Sequence, residues 1–181
     1  MEPDTAILVE GVSDQLAVEA LAARRGRDLA ADGVAVVPIG GAGNIRRSLE
    51  ELIPLGIRIR GLCDAREAGD FRRAVERAGL GSDLEGAGFY VCDADLEDEL
   101  IRSLGPARVE QIVEAEGELG RLRTFQNQPA QRARSIEAQL RRFLGTRGGR
   151  KIQYAPVLVA ALDLDHVPRP LDALLANVRP A

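Results

Sequence analysis

Six carboxylates sit where apolar runs of this chain end: Glu10, Asp14, Asp64, Asp93, Asp95 and Glu97. Glu10 closes the run Ala6-Ile7-Leu8-Val9 and precedes Gly11, and Asp14 follows four positions later. Asp64 closes a run over residues 57–63, and the acidic stretch from Asp93 to Glu99 follows a run over 88–92. Hard oxygen ligands converging on one crevice suit Mg2+, which takes one or two carboxylates together with substrate phosphates. Acids also gather at helix N-termini because the helix dipole favours them there. That alone accounts for Asp95, Glu97 and Asp98, but less well for Glu10 and Asp64, each of which directly follows a buried run. A carboxylate in such a place is costly to desolvate, so it meets water, a cation or a basic side chain.

Other residues offer weaker chemistry. The turn Gly40-Gly41-Ala42-Gly43 precedes a helix and reads equally well as a plain tight turn or as a phosphate contact through helix N–H groups. It is a poor dinucleotide fingerprint, because Arg46 stands at the third glycine and the turn follows the second strand. His166 is the only histidine and has no partner at triad or zinc spacing, so it reads as a surface residue. Arg132, Arg134, Arg141, Arg142, Arg147, Arg150 and Lys151 cluster around a glycine-rich loop. They read as a solvated helix face or as a phosphate-facing patch, with Arg147 and Arg150 contributing to nucleic-acid affinity in the second case.

Placing these groups requires strands that alternate with helices. Apolar runs over 6–9, 34–38, 57–63 and 88–92 read as buried strands, each followed by a mixed segment of helical pattern. The helices are expected over 15–25, 45–52, 70–78 and up to Leu104, with Ser13 or Asp14 capping the first and Asn44 the second. Strand–helix alternation argues a mostly parallel four-stranded sheet flanked by helices, an α/β fold. Its ligand crevice then lies at the carboxyl ends of the strands. Beyond Gly105 the pattern is helical: a helix opened by Pro106, others over 136–144 and 151–162, and a short one near 171–178. Residues 124–129 and 145–149 are expected to be loops. The division is therefore a core over 1–105 and a helical C-terminal extension over 106–181.

The chain has 181 residues, 45% hydrophobic and 29% charged, which marks it as globular. Its net charge of −4 leaves no overall electrostatic footprint for nucleic acid, so such binding needs a local basic patch or a bridging metal. Lys151 is the only lysine; all other residues among the 24 Lys and Arg are arginine. Cys63 and Cys92 lack CxxC spacing and read as reduced core thiols. With no signal peptide and no long apolar span, the expected location is the cytoplasm, with no membrane contact.

These residues resemble the TOPRIM domain of topoisomerases, bacterial-type primases and the OLD (overcoming lysogenisation defect) nucleases. That family ends its first strand in a glutamate, matched by Glu10-Gly11, and its third in Asp-x-Asp-x-x-Gly. Here the third-strand motif reads Asp64-Ala65-Arg66-Glu67-Ala68-Gly69, so Arg66 stands where the second aspartate belongs. The OLD branch is more similar, adding an acid one helical turn after the glutamate (Asp14), a Leu-Glu pair (Leu96-Glu97) and a downstream lysine (Lys151). The resemblance implies a Mg2+- or Mn2+-dependent nuclease acting on DNA. In it Glu10, Asp14, Asp64, Asp95 and Glu97 hold the metal, and Glu10, Asp64 and Lys151 act in catalysis. It also implies a free-standing TOPRIM protein, because the ABC-type ATPase that precedes most OLD domains has no GxxxxGK[ST] counterpart here. The alternative is a non-catalytic metal- or phosphate-binding module that regulates a separately encoded ATPase; a Rossmann-like nucleotide binder is the third reading. For Arg66, the expectation is a fixed positive charge replacing a second cation in the crevice, with Glu67 pointing elsewhere.

Overall fold

The structure is a computed structural model, and it describes residues 3–178. Four strands, β1 (Thr5–Val9), β2 (Val34–Pro38), β3 (Arg58–Asp64) and β4 (Phe89–Cys92), form one parallel sheet in the order β2-β1-β3-β4. β1 is fully buried along its length. Ile7 and Val9 enter one core while Ala6 and Leu8 enter the other. Burial on both faces explains why β1 reads as a continuous apolar run with no polar alternation.

Helices α1 (Val12–Arg24), α2 (Ile45–Leu52), α3 (Ala68–Arg77) and α4 (Leu96–Leu104) follow the four strands in turn. Ile45, Leu49, Phe71 and Val75 of α2 and α3 fill the core on one face. Ala17, Val18 and Leu21 of α1 and Leu100 and Ile101 of α4 fill the other. The remaining helices are α5 (Pro106–Ala115), α6 (Leu119–Gln126), α7 (Pro129–Arg132), α8 (Ile136–Gly145), α9 (Arg150–Ala161) and α10 (Arg169–Ala176). They join the α1 side through Val109, Leu122, Leu140, Tyr154, Leu158 and Leu171, so sheet and helices share that core. Between α4 and α5 the chain turns on Gly105 at φ 76, ψ 150, a conformation open only to glycine, and Pro106 starts the next helix at once.

Three local expectations change. The segment 124–129 shrinks to a turn at 127–128, because α6 continues through Gln126 and α7 starts at Pro129; the buried Leu122 and Phe125 of α6 hold it against α8. The N-cap of α1 is Gly11, and Asp14 acts from the third helical position, its carboxylate accepting the Gly11 N–H at 2.9 Å. Asn44 stands at the N-cap of α2 as expected, but its side chain accepts no helix N–H; its amide donates back to the Ile39 and Gly40 carbonyls at 2.8 and 3.2 Å, tying the glycine turn together. Cys63 and Cys92 are free and buried, as expected.

Gly61 sits in β3 because nothing larger fits: a Cβ there would lie 2.4 Å from Phe89 Cδ1 and 3.2 Å from the Leu8 carbonyl oxygen. Phe89 is fully buried and packs edge-on against Phe71, so the ring has little freedom to retreat. Gly61→Ala is expected to cost about 1–3 kcal/mol through overpacking, and Phe89→Leu in the same chain to recover part of it. A double-mutant cycle by thermal denaturation checks this; additive losses would mean the two residues are uncoupled.

Candidate functional site

β1 lies centrally, with β2 on one side and β3 on the other, so the chain changes direction across the sheet between β1 and β3. At such a switch point the loops leaving adjacent strands part and open a crevice at the carboxyl ends. Glu10 leaves β1 there, and Asp64 ends β3 beside it. The backbone of Glu10 is pinned by the glycine turn: Gly40 and Gly41 donate N–H bonds to its carbonyl at 3.0 and 3.1 Å. Those N–H groups are therefore engaged within the fold, which removes them from the phosphate-cradle reading of that turn. Asp14 enters from the first turn of α1, and Asp95 and Glu97 from the start of α4.

The groups feel one another. Glu10 is pushed up to about 7, first by the Glu67 carboxyl lying against its own and then by burial. Burial is the main cause for Asp64, also raised to about 7, with Asp95 and Glu10 adding repulsion. Asp14 rises to about 6, again mainly from burial, although the Gly11 N–H works against it. Two cations reach in from the helical part of the chain. Lys151 Nζ of α9 bonds Glu97 Oε2 at 2.7 Å; burial alone would lower this lysine, but Glu97, Asp95 and Asp14 together outweigh it and the net shift is upward. Arg141 Nε of α8 bonds Asp95 Oδ2 at 2.7 Å, while Asp95 Oδ1 accepts the Asp98 N–H at 2.9 Å as the cap of α4.

The structure thus brings Glu10, Asp14, Asp64, Asp95, Glu97 and Lys151 to one crevice. Asp93 it takes away: that side chain is exposed and pairs with Arg102 at 3.0 Å. Two expectations about the third-strand motif are corrected. Arg66 is exposed, and it is not among the main charges acting on Glu10, Asp14 or Asp64, so it supplies no substitute cation. Glu67, expected to point elsewhere, turns inward against Glu10, and its Oε2 is buried with no hydrogen-bond partner. A buried acceptor left so costs about 1–3 kcal/mol.

The basic cluster also divides. Arg150 is only 6% exposed and is no nucleic-acid contact. Its guanidinium bonds both oxygens of buried Glu118 at 3.0 and 3.1 Å and the Phe143 carbonyl at 2.9 Å, and lies 4.0 Å from the centre of the Phe143 ring. Arg150 and its neighbours hold Glu118 down to about 2. Arg132, Arg134, Arg142 and Arg147 stay exposed. His166 is a surface residue, bonded to Asp163 at 2.8 Å.

An all-carboxylate donor set, mutual repulsion and an orphaned buried oxygen on Glu67 fit a divalent cation. Among the described residues no three carboxylate, histidine or cysteine groups already surround a common point, and Asp95 and Glu97 are each turned to a cation.

The raised carboxylates set a sign for pH dependence. Glu10, Asp14 and Asp64 bind protons more tightly in the folded chain than in the unfolded one, so their ionisation destabilises the fold as pH rises from about 4 to about 7. Glu118 has the opposite sign, and its contribution is lost as pH falls from its unfolded value toward about 2. Metal-free protein in EDTA should therefore be most stable near pH 4–5 and lose roughly 3–10 °C of Tm by pH 8, after discounting for solvent screening. Glu10→Gln should flatten that slope. A Tm independent of pH over this range would show that the carboxylates do not repel as described.

Residues 4–65 match the family model described as "Overcoming lysogenization defect protein-like, TOPRIM domain". No curated protein sequence matches the chain. Among solved structures, the C-terminal region of the Xanthomonas campestris pv. campestris OLD protein superposes with a TM-score of 0.76 at 23% identity, covering 98% of this chain and 92% of that one. The C-terminal region of the Burkholderia pseudomallei OLD protein gives a TM-score of 0.72 at 20% identity, covering 98% of both chains. Glu10, Asp14 and Asp64 fall within the matched residues, and the chain shares its overall fold with the C-terminal regions of these OLD proteins.

Proposed function

We propose that the chain is a divalent-metal-dependent nuclease that cleaves DNA phosphodiester bonds at the β1–β3 crevice. The observation that supports this most is the gathering of Glu10, Asp14, Asp64 and Glu97 around one opening, with Lys151 among them. Glu10, Asp14, Asp64, Asp95 and Glu97 would hold the ion, Mg2+ or Mn2+. When bound there, it supplies Lewis acidity toward a phosphoryl oxygen and makes water a nucleophile near neutral pH. The protein's own part is to keep those carboxylates fixed on strand ends and helix starts and to present Lys151. Its ammonium is placed to stabilise negative charge gathering on the phosphate or the leaving oxygen. The partners under this reading are DNA and an ATPase.

A second reading, a non-catalytic metal- or phosphate-binding module regulating that ATPase, draws on a different observation. Asp95 is tied to Arg141 and Glu97 to Lys151, so two of the five carboxylates already have cations. The two readings part on one experiment: supercoiled and linear DNA incubated with the protein in Mg2+, Mn2+ or EDTA. Metal-dependent cutting selects the nuclease, and metal binding without cutting selects the module.

Three neighbouring basic residues should behave differently under the nuclease reading. Lys151→Ala should lower turnover with little change in DNA affinity, because a charge used in the transition state is lost from kcat. Arg147→Ala, which removes an exposed charge, should weaken DNA binding modestly and more at low salt. Arg150→Ala should instead cost stability, about 1–3 kcal/mol, because buried Glu118 loses two charge-assisted bonds and keeps those from Arg121 and the Tyr154 hydroxyl. Equal losses of DNA affinity in all three would reduce them to a generic basic patch.

A further inference from the structure

The turn after β3 places a carboxylate one residue later than the Asp-x-Asp pattern does. Residues 65–67 form the turn, closed by the Glu67 N–H donating to the Asp64 carbonyl at 3.0 Å. α3 begins at Ala68, and the N–H groups of Asp70 and Phe71 bond the Glu67 carbonyl at 2.8 and 3.1 Å. The backbone of Glu67 is therefore fixed from both sides, at the N-cap of α3. Phe71 is completely buried, so the helix that anchors Glu67 cannot roll without opening the core. On this backbone position 66 faces solvent, and position 67 faces Glu10. A glutamate carries one methylene more than an aspartate, and that extra length brings the later residue back to the opening.

What Glu67 meets there is another acid: the two carboxyls can share a proton, but once both ionise neither has a positive charge to face. Its carboxyl abuts that of Glu10, its Oε2 is buried without a hydrogen bond, and the nearest lysine is bonded to Glu97. A carboxylate in such a place lacks a positive charge or a donor. We propose that Glu67, not residue 66, is the second carboxylate of the third-strand motif and, with Glu10, is a ligand of the divalent cation held in this crevice. The inference rests on the metal-binding reading above. It gives a role to a residue outside the five-carboxylate set and leaves Arg66 with none in the crevice.

Isothermal titration of Mn2+ into wild type, Glu67→Gln, Arg66→Asp and Glu10→Gln tests it, with Tm in EDTA as a second readout. Glu67→Gln should weaken Mn2+ binding by at least about tenfold. It should also raise the metal-free Tm, because the new amide donates to Glu10 where two carboxylates repelled. Arg66→Asp should leave Mn2+ affinity and stoichiometry within about twofold of wild type, since an acid at 66 projects to solvent. Unchanged affinity in Glu67→Gln, beside a loss in Glu10→Gln, would overturn the role of Glu67 and leave the metal centre standing. A second bound ion in Arg66→Asp would likewise overturn it, by showing that position 66 reaches the crevice. Failure of wild type to bind Mn2+ would overturn the inference together with the reading beneath it.

Discussion

The repulsion among carboxylates at the ends of β1 and β3 is the constraint to which the rest of this structure answers. Four of them, Glu10, Asp14, Asp64 and Glu67, crowd an opening that only partly exposes them. Three are pushed well above the ordinary carboxylate range. Ordinary folding would select against such a cluster, because each ionised member weakens the next. The sheet nevertheless holds them rigidly. Each comes from a strand end or a helix start whose backbone bonds are satisfied by the glycine turn, by the N-terminus of α1 or by the start of α3. Rigidity here works against relaxation: the side chains have few ways to move apart, so relief has to come from added positive charge.

Part of that charge comes from the helices beyond Gly105, which share one core with the sheet. Lys151 and Arg150 are consecutive on α9 and therefore point about 100° apart around the helix. Arg150 is locked into the Glu118–Phe143 cluster, and this fixes the rotation of α9 about its axis. Lys151 is thereby directed to Glu97, which is only 6% exposed and would otherwise be buried without a cation. A buried ion pair made by the preceding residue of α9 thus sets the position of the charge inside the crevice. Arg141 makes the same link from α8 to Asp95, so the acidic opening and the helical cluster are electrostatically joined at two points.

Much of this was legible in the sequence because it depends on local pattern. The apolar run 6–9 and its closing glutamate marked β1, and the four strand–helix alternations marked a parallel sheet. Glu10 and Asp64 follow from the strand ends and Asp14, Asp95 and Glu97 from the helix starts beyond them, although Asp93, next after β4, turns away. What escaped depends on direction and distance. Whether Arg66 or Glu67 faces inward is decided by a single turn, and a one-residue change in phase reverses the answer. Arg150 and Arg147 look alike as a basic cluster, yet one is 6% exposed and the side chain of the other 64%. Both reach Glu118, distant in sequence, but Arg150 does so from a buried seat against Phe143 and Arg147 from the surface at 3.9 Å. α6 was hidden because its polar residues and nearby Pro129 resemble a loop, while buried Leu122 and Phe125 give it a helical face.

The lone lysine has a physical reason to differ from its arginine neighbours. A guanidinium at 151 would present a planar fork to Glu97 and could engage both carboxylate oxygens, as Arg150 does with Glu118. Such a pair is geometrically locked. An ammonium is a compact charge with three donors, of which the bond to Glu97 Oε2 takes one. The side chain of Lys151 is 42% exposed, so its remaining donors face water at the opening. Lys151 therefore neutralises a buried acid and still has hydrogen-bonding capacity directed outward. The two roles are compatible only because the charge is a point and not a fork.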